Sequence, residues 1–127
     1  MNFSPAAAEK IASPSPLNPV LPGRAGTALR WTRLLGSSRG LAIASAAIRH
    51  DGPLLVITRR VETVDQLGDE IRFYAPTMQD SVHVFPDIEC LPYDVFSPHQ
   101  GLTAQRLETL YKLPNLRRGI VLTALST

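Results

Sequence analysis

Two continuous apolar runs constrain the fold of this chain most strongly. The first is PLLVIT at residues 53–58, and the second is GIVLTAL at residues 119–125. Each run has the length of a strand, and neither alternates with charged residues, as expected for strands that are covered on both faces. Strands of this kind occur in parallel sheets that have helices on either side. The two runs therefore predict buried strands of an α/β domain.

The residues between and before these runs carry helical and strand patterns. Residues 82–85 predict another short strand, and residues 86–100, with three prolines, predict an irregular connection. Residues 40–50 predict a helix, a later helix includes Leu107 and Leu110 and ends before Pro114, and residues 28–35 fit either a helix face or a short strand. The alternation predicts right-handed crossovers and a parallel sheet. Apolar side chains also recur at helical spacing after the first run, at Val64, Leu67, Ile71 and Tyr74.

Proline content separates the start of the chain from the rest. Five of the eleven prolines fall within the first 22 residues, so we expect a flexible leader over residues 1–26 and an α/β domain over residues 27–127. Ser126 and Thr127 are good helix N-caps, but no helix follows them. A parallel sheet also calls for a further strand beside Val121. The domain is therefore expected to be incomplete at its C-terminal end.

Charge is distributed unevenly along the chain. Residues 24–60 hold seven arginines against Asp51, a balance of +6, whereas residues 61–100 hold Arg72 against eight acids, a balance of −7. The segments could form a basic surface for nucleic acid and an acidic surface for a protein, or they could neutralise each other. No apolar run reaches the ~20 residues that span a bilayer, and no signal peptide is recognisable. With one cysteine, Cys90, and three scattered histidines, we expect a cytoplasmic protein without a metal site.

The stretch LLGSSRGLAIASAAI, residues 34–48, resembles a phosphate-binding loop that opens a helix. A working loop needs a lysine and then a serine or threonine after its closing glycine. If Gly40 closes the loop, Leu41 and Ala42 occupy those two positions. We therefore predict a structural turn or a degenerate nucleotide site rather than an intact ATP site, with weak anion binding as the most that its polar residues could provide. The loop consists of Gly36, Ser37, Ser38, Arg39 and Gly40.

The stretch FPDIECLPYDVFSPHQ, residues 85–100, places three carboxylates close together in the sequence. Asp87, Glu89 and Asp94 could perform acid–base or metal chemistry, but a rigid surface connection explains the same residues. Tyr93 and Phe96 could stack on a base or anchor the connection on the core. Cys90 lacks a basic neighbour that would activate it. We expect no catalytic residue in this stretch.

Several motifs, in this order and spacing, resemble the N-terminal part of the bacterial transcription-repair coupling factors. They are GSSRGLAIASAA, DGPLLVIT, FPDIECLPYDVFSPHQ, RLETLYKLP and RRGIVLTALST, and the resemblance extends over about residues 30–127. The E-x-L-P-Y-D core is shared with the excision-nuclease protein UvrB. Ile88, Cys90 and Gly101 depart from the family pattern, in which tryptophan, threonine and aspartate are usual. The family block maps onto Asp87, Glu89, Leu91, Pro92, Tyr93, Asp94, Phe96, Ser97, Pro98, His99, Gln100 and Arg106.

This resemblance implies a partial RecA-like three-layer α/β domain whose phosphate loop has lost its nucleotide-binding residues. It implies a parent protein for DNA repair that displaces RNA polymerase stalled at a lesion by ATP-driven translocation on double-stranded DNA. The parent would also recruit the nucleotide excision repair nuclease through the UvrA protein. ATP and Mg²⁺ would bind only in a C-terminal helicase-like motor. The present chain would then be a non-catalytic scaffold without a cofactor that contacts other domains of its own chain.

Two other hypotheses follow from the same residues. The chain could be a fragment of a UvrB-like protein or another ATP-dependent DNA helicase, a hydrolase with an unusual loop. Alternatively, it could be a small nucleic-acid-binding module that uses the arginines of residues 24–60, in which case its DNA affinity would depend strongly on salt.

Overall fold

The computed structural model describes residues 10–12, 15–87 and 100–125. In this part of the chain, strands alternate with helices from residue 29 onward. The α-helices and strands are β1 (Lys10–Ala12), β2 (Leu29–Trp31), α1 (Ser38–Arg49), β3 (Pro53–Thr58), α2 (Val61–Tyr74), β4 (Val82–Val84), α3 (Gln100–Lys112) and β5 (Gly119–Ala124). Two 3-10 helices, Pro76–Ser81 and Leu113–Asn115, precede β4 and β5.

The central element is a three-stranded parallel sheet with the order β3-β5-β4. Residues 53–58 of β3 pair in register with residues 119–124 of β5, and β4 pairs with the other side of β5 from Val82, opposite Ile120. Both apolar runs are therefore parallel strands, as predicted. The expectation that each strand is covered on both faces was wrong for β3, because Leu55 and Ile57 of this strand are exposed. The expectation that the strand containing Val121 needs a further neighbour was wrong, because β5 is the middle strand and is already paired on both sides.

Helices cover the two faces of the sheet unequally. The main hydrophobic cluster joins α1 and α2 to one face, where Ile71, Ile120 and Leu122 are fully buried. On the opposite face α3 lies over β4, and Thr109, its one buried side chain, donates a hydrogen bond to the carbonyl oxygen of Val84 at 3.4 Å. This arrangement is a partial α/β domain with one well-covered face and one incompletely covered face.

Some element boundaries differ from the predictions. α1 begins at residue 38 rather than 40, and residues 29–31 of the ambiguous segment form β2. The connection predicted over residues 86–100 ends earlier, because Gln100 is already the first residue of α3. β2 pairs in parallel with β1 in a separate two-stranded sheet.

One of the N-terminal residues that the structure describes, Pro19, accepts a hydrogen bond from Arg49 of α1. Pro19 is fully buried, although residues 22–28 are exposed. The proposed boundary at residue 26 and the flexibility of the leader stay predictions. Within the described residues, no helix combines the length and the apolar character that are needed to cross a bilayer.

Candidate functional site

The phosphate-loop-like stretch forms a tight turn that leads directly into α1. The amide of Ser38 donates a hydrogen bond to the carbonyl oxygen of Leu35 at 3.1 Å, which closes a four-residue turn. Gly36 has a φ of +55°, and Ser37 follows with φ −72° and ψ −3°. These values fit a type II′ turn, in which the first central position favours glycine. Gly36 is therefore explained by the turn itself.

Both serine hydroxyls of the loop have partners within the protein. The Ser38 hydroxyl donates to the carbonyl oxygen of Leu35 at 2.5 Å. The Ser37 hydroxyl oxygen accepts a hydrogen bond from the Tyr74 hydroxyl at 3.0 Å, across to the last residue of α2. Ser37 is the N-cap of α1, but its side chain makes no capping hydrogen bond. One hydroxyl group thus stabilises the turn, and the other joins the loop to α2.

Gly40 of α1 packs tightly against Glu70 of α2. A Cβ atom added to Gly40 would lie 2.6 Å from the Cβ atom of Glu70 and 2.5 Å from its Oε2 atom. Only glycine allows this approach without movement of a helix. The Glu70 carboxylate therefore lies beside the first turn of α1, and its negative charge opposes the binding of a phosphate there.

The loop contacts the C-terminal half of α2, whereas α2 begins at the edge of the sheet where nucleotides bind. In open α/β sheets, ligands bind outside the carboxyl ends of the strands. α2 starts just after the carboxyl end of β3 and runs back towards the start of β4, so Tyr74 is at its far end. Because Ser37 contacts Tyr74, the loop lies near that far end. The strand before the loop, β2, also belongs to the separate two-stranded sheet.

The family block lies mostly outside the described residues. Of its members, the structure describes Asp87, Gln100 and Arg106, and residues 88–99 are not among those it describes. Arg106 joins α3 to the end of β4: its Nη1 atom donates to the Pro86 carbonyl oxygen at 2.6 Å, and its guanidinium carbon lies 4.2 Å from the centroid of the Phe85 ring. In this position Arg106 holds two elements together.

A cleft with a volume of about 550 Å³ lies at the carboxyl edge of the sheet, between α2 and α3. Its lining includes the carboxylates of Glu62, Asp65 and Asp87 together with Arg72 and Gln105. Sequence reasoning singled out only Asp87. The signal it missed is that Glu62 and Asp65 follow the apolar run of β3, which places them at the ligand-binding edge of a parallel sheet. Among the described residues, no group of three or more His, Cys, Asp or Glu side chains could hold a metal ion.

Arg72, beside the cleft, and His83, on β4, have structural surroundings. Arg72 donates to the carbonyl oxygen of Val82 at 3.3 Å and pairs with Asp69 at 3.6 Å. Partial burial lowers the pKa of His83 from its ordinary value of 6.5, and the positive charge of Lys112 lowers it further. His83 therefore favours its neutral form, which suits a structural position on β4.

The basic residues of the chain also serve the fold. Arg49 donates to the carbonyl oxygen of Pro19 at 2.6 Å, and Arg118 donates to the carbonyl oxygen of Ile48 at 2.6 Å. Two ion pairs between described side chains, Arg72 with Asp69 and Lys112 with Glu108, each lie within one helix, so neither joins the basic segment to the acidic one. The mutual neutralisation of the two segments stays a prediction.

The incompletely covered face of the sheet contains an apolar groove. The groove has a volume of about 340 Å³ and lies between the edge strand β3 and the C-terminal part of α3. Leu55 and Ile57 of β3 are 65% and 52% exposed, a large fraction for aliphatic residues on a parallel strand. We call this surface the open face; its lining is Pro53, Leu54, Leu55, Phe85, Leu110, Leu113, Val121 and Thr123.

The fold and these sites define a partial α/β domain. Its phosphate-loop-like turn is contacted by the side chains of Tyr74 and Glu70 from α2. The chain is 37% identical over 107 residues to a transcription-repair-coupling factor of Escherichia coli, and 34% identical over 94 residues to that of Haemophilus influenzae. These alignments cover 84% and 74% of the chain. Over the segment that it shares with them, the chain belongs to the transcription-repair-coupling-factor family. It spans only 9% and 8% of the length of these relatives, and no family model matches it.

Proposed function

We propose that this chain is a non-catalytic scaffold module of a transcription-coupled DNA repair factor. One observation carries the proposal: the turn at residues 36–40 is closed by contacts within the protein, namely Tyr74 on Ser37 and Glu70 beside Gly40. A phosphate loop must present free backbone amides to the ligand, with a lysine and a hydroxyl group behind them. Leu41 and Ala42 supply neither group. The loop is a degenerate nucleotide site that has become a packing element.

The activity of the longer protein is part of this proposal. In it, a motor elsewhere in the chain hydrolyses ATP with Mg²⁺, moves along double-stranded DNA and displaces stalled RNA polymerase. The protein then recruits the excision nuclease through UvrA. The names of the E. coli and H. influenzae relatives support a role that links transcription to repair. The module described here contributes structure to this cytoplasmic machine.

Titration with a fluorescent ATP analogue and Mg²⁺ tests the loop directly. We expect no saturable binding to the purified chain at micromolar concentrations. As a matched control, Glu70→Gln keeps the length of the side chain but removes the negative charge beside α1. This variant is also expected not to bind, because Leu41 still occupies the position of the lysine. Mg²⁺-dependent binding at micromolar strength by either protein would contradict the proposal.

Titration with duplex DNA at physiological salt examines the nucleic-acid-binding alternative. The contacts of Arg49 and Arg118 with backbone carbonyls support a structural role for these two side chains. We therefore expect no strong, salt-dependent DNA binding by the chain alone. Such binding, reduced by substitution of exposed arginines such as Arg59, would favour the alternative function.

The scaffold role also needs a surface that other domains can contact, and we propose the open face for it. Parallel sheets are normally covered on both faces, and large exposed apolar patches mark interaction sites. In a longer chain that contains the remaining domains, Leu55→Lys should lower the thermal unfolding midpoint. In the 127-residue chain the same substitution should leave the midpoint unchanged. An equal effect in both chains would refute the role of the open face as an interdomain contact.

A further inference from the structure

Two side chains from separate elements hold neighbouring carbonyl groups of the proline-rich N-terminal segment. Arg49, the last residue of α1, donates from Nη1 to the carbonyl oxygen of Pro19 at 2.6 Å. Trp31, the last residue of β2, donates from Nε1 to the carbonyl oxygen of Val20 at 2.9 Å. These hydrogen bonds span 30 and 11 residues of sequence, so they fix the path of the segment across the domain.

Within this segment, burial is concentrated on a single side chain. Pro19 is fully buried, whereas Leu17 is 71% exposed and Val20 is 47% exposed. A turn closed by the amide of Asn18 and the carbonyl oxygen of Ser15, at 2.9 Å, directs the chain into Pro19. Pro19 is thus the residue that anchors this part of the segment in the protein, between exposed neighbours.

The proline content determines how the segment can be held. Prolines at positions 16, 19 and 22 restrict φ and have no amide hydrogen to donate. Such a segment favours an extended conformation before it binds, so little conformational entropy is lost when it closes. Its attachment therefore depends on carbonyl groups that accept hydrogen bonds from Arg49 and Trp31.

The segment lies along one flank of α1. Ala42 and Ala46 are buried but lie outside the main hydrophobic cluster that α1 forms with α2 and the sheet. Together with Arg49 they occupy positions i, i+4 and i+7, which fall on one side of a helix. The hydrogen bond from Arg49 to Pro19 places the proline-rich segment at the C-terminal end of this side of α1. The flank is thus separate from the surface that holds the α/β unit together.

We propose that residues 15–22 form a strap that closes over this flank of α1 and opens while the α/β unit stays folded. The hydrogen bond from Arg49 and the burial of the Pro19 side chain hold the strap closed. Opening uncovers the small apolar surface of Ala42 and Ala46 and frees the guanidinium group of Arg49. The physical basis is that one buried side chain and two hydrogen bonds form a much smaller cooperative unit than the main cluster, and small units open first.

The test compares Arg49→Ala with Arg39→Ala. Arg39 is an exposed arginine at the other end of α1 that makes neither of the hydrogen bonds of the strap. Trp31 is the only tryptophan, so acrylamide quenching of its fluorescence reports on the strap. Loss of a charge-assisted hydrogen bond should raise the opening equilibrium by about tenfold or more. We expect stronger quenching of Trp31 in Arg49→Ala and no change in Arg39→Ala.

Hydrogen exchange and circular dichroism distinguish opening of the strap from unfolding of the domain. In Arg49→Ala, the amide of Asn18 should exchange faster, while amides of α2 and β5 keep their protection. The urea midpoint followed by helical circular dichroism should stay close to that of the unmodified chain. Unchanged quenching, or a loss of protection in α2 that parallels that at Asn18, would overturn the proposal. If Arg49→Ala does not fold, Pro19→Ala, which removes most of the buried proline ring, is measured in the same way.

Discussion

Replacing Gly40 with alanine separates a packing role of this glycine from a role in a phosphate loop. At an ordinary helical position, alanine is more stable than glycine by about 0.8–1.0 kcal/mol, and somewhat less in the first turn. At Gly40, however, the new Cβ atom would lie 2.6 Å from the Cβ atom of Glu70. Carbon atoms in contact prefer separations of about 3.5–4.0 Å, so α1 and α2 would have to move apart locally by about 1 Å.

The steric cost exceeds the gain in helix propensity. Overpacking a well-packed interface costs about 1–3 kcal/mol. After subtraction of the propensity gain, Gly40→Ala should lower the free energy of unfolding by about 1 kcal/mol. For a domain of this size, such a loss lowers the unfolding midpoint by about 4–8 °C. The measurement is urea and thermal denaturation followed by far-ultraviolet circular dichroism.

Two partner substitutions at Glu70 sharpen this test. Glu70→Ala keeps the Cβ atom, so Gly40→Ala should be as harmful in that background as in the unmodified chain. Glu70→Gly removes the Cβ atom, so the clash disappears, and Gly40→Ala should become neutral or stabilising there. The difference between the two backgrounds is the coupling between positions 40 and 70. A Gly40→Ala variant that is more stable than the unmodified chain would refute the reasoning.

Three further substitutions probe the strand ends, the open face and β4. Gly119→Ala should destabilise the domain by about 2–4 kcal/mol in urea denaturation, because φ is +150° there and the new Cβ atom would lie 2.7 Å from the Ser81 carbonyl oxygen. Leu55→Lys should change the free energy of unfolding by less than about 0.5 kcal/mol but reduce the fluorescence of bound anilinonaphthalene sulfonate, because the side chain is exposed. The pKa of His83 is lowered in the folded protein, so the unfolded chain binds a proton at this position more readily, and the stability present above pH 6.5 is lost as the pH falls through the folded-state pKa. His83→Gln should therefore flatten the fall in urea midpoint between about pH 7 and pH 5.

The sequence predicts the central part of this fold well because the pattern there has one physical interpretation. PLLVIT and GIVLTAL contain no charged residue, and both form parallel strands of the central sheet, although only β5 is largely buried. The α2 positions Val64, Leu67 and Ile71 recur at helical spacing, and all three are buried. In α2 the periodicity arises directly from contact with the main cluster.

The start of α3 could not be predicted in the same way. Its first turns, QGLTAQR, carry few apolar residues, and its only buried side chain is Thr109. A helix that lies on the surface of a sheet without a deep apolar stripe leaves little periodic signal. The cleft at the carboxyl edge was missed for a different reason. The cleft brings together Glu62, Asp65 and Asp87 only because β3 and β4 run parallel on either side of β5. Local sequence does not indicate the order of strands in a sheet.

The turn at residues 36–40 shows that the missing motif residues alone do not describe what a phosphate-loop-like turn can bind. Leu41 and Ala42 in place of lysine and a hydroxyl residue would be compatible with a loop that still binds anions weakly. The positions of its neighbours weigh against that interpretation. The hydroxyl of Tyr74 engages Ser37, Glu70 places negative charge beside Gly40, and both belong to the half of α2 that points away from the ligand-binding edge. Because α1 and α2 pack through this contact, the fold itself requires glycine at position 40, whether or not a ligand binds there.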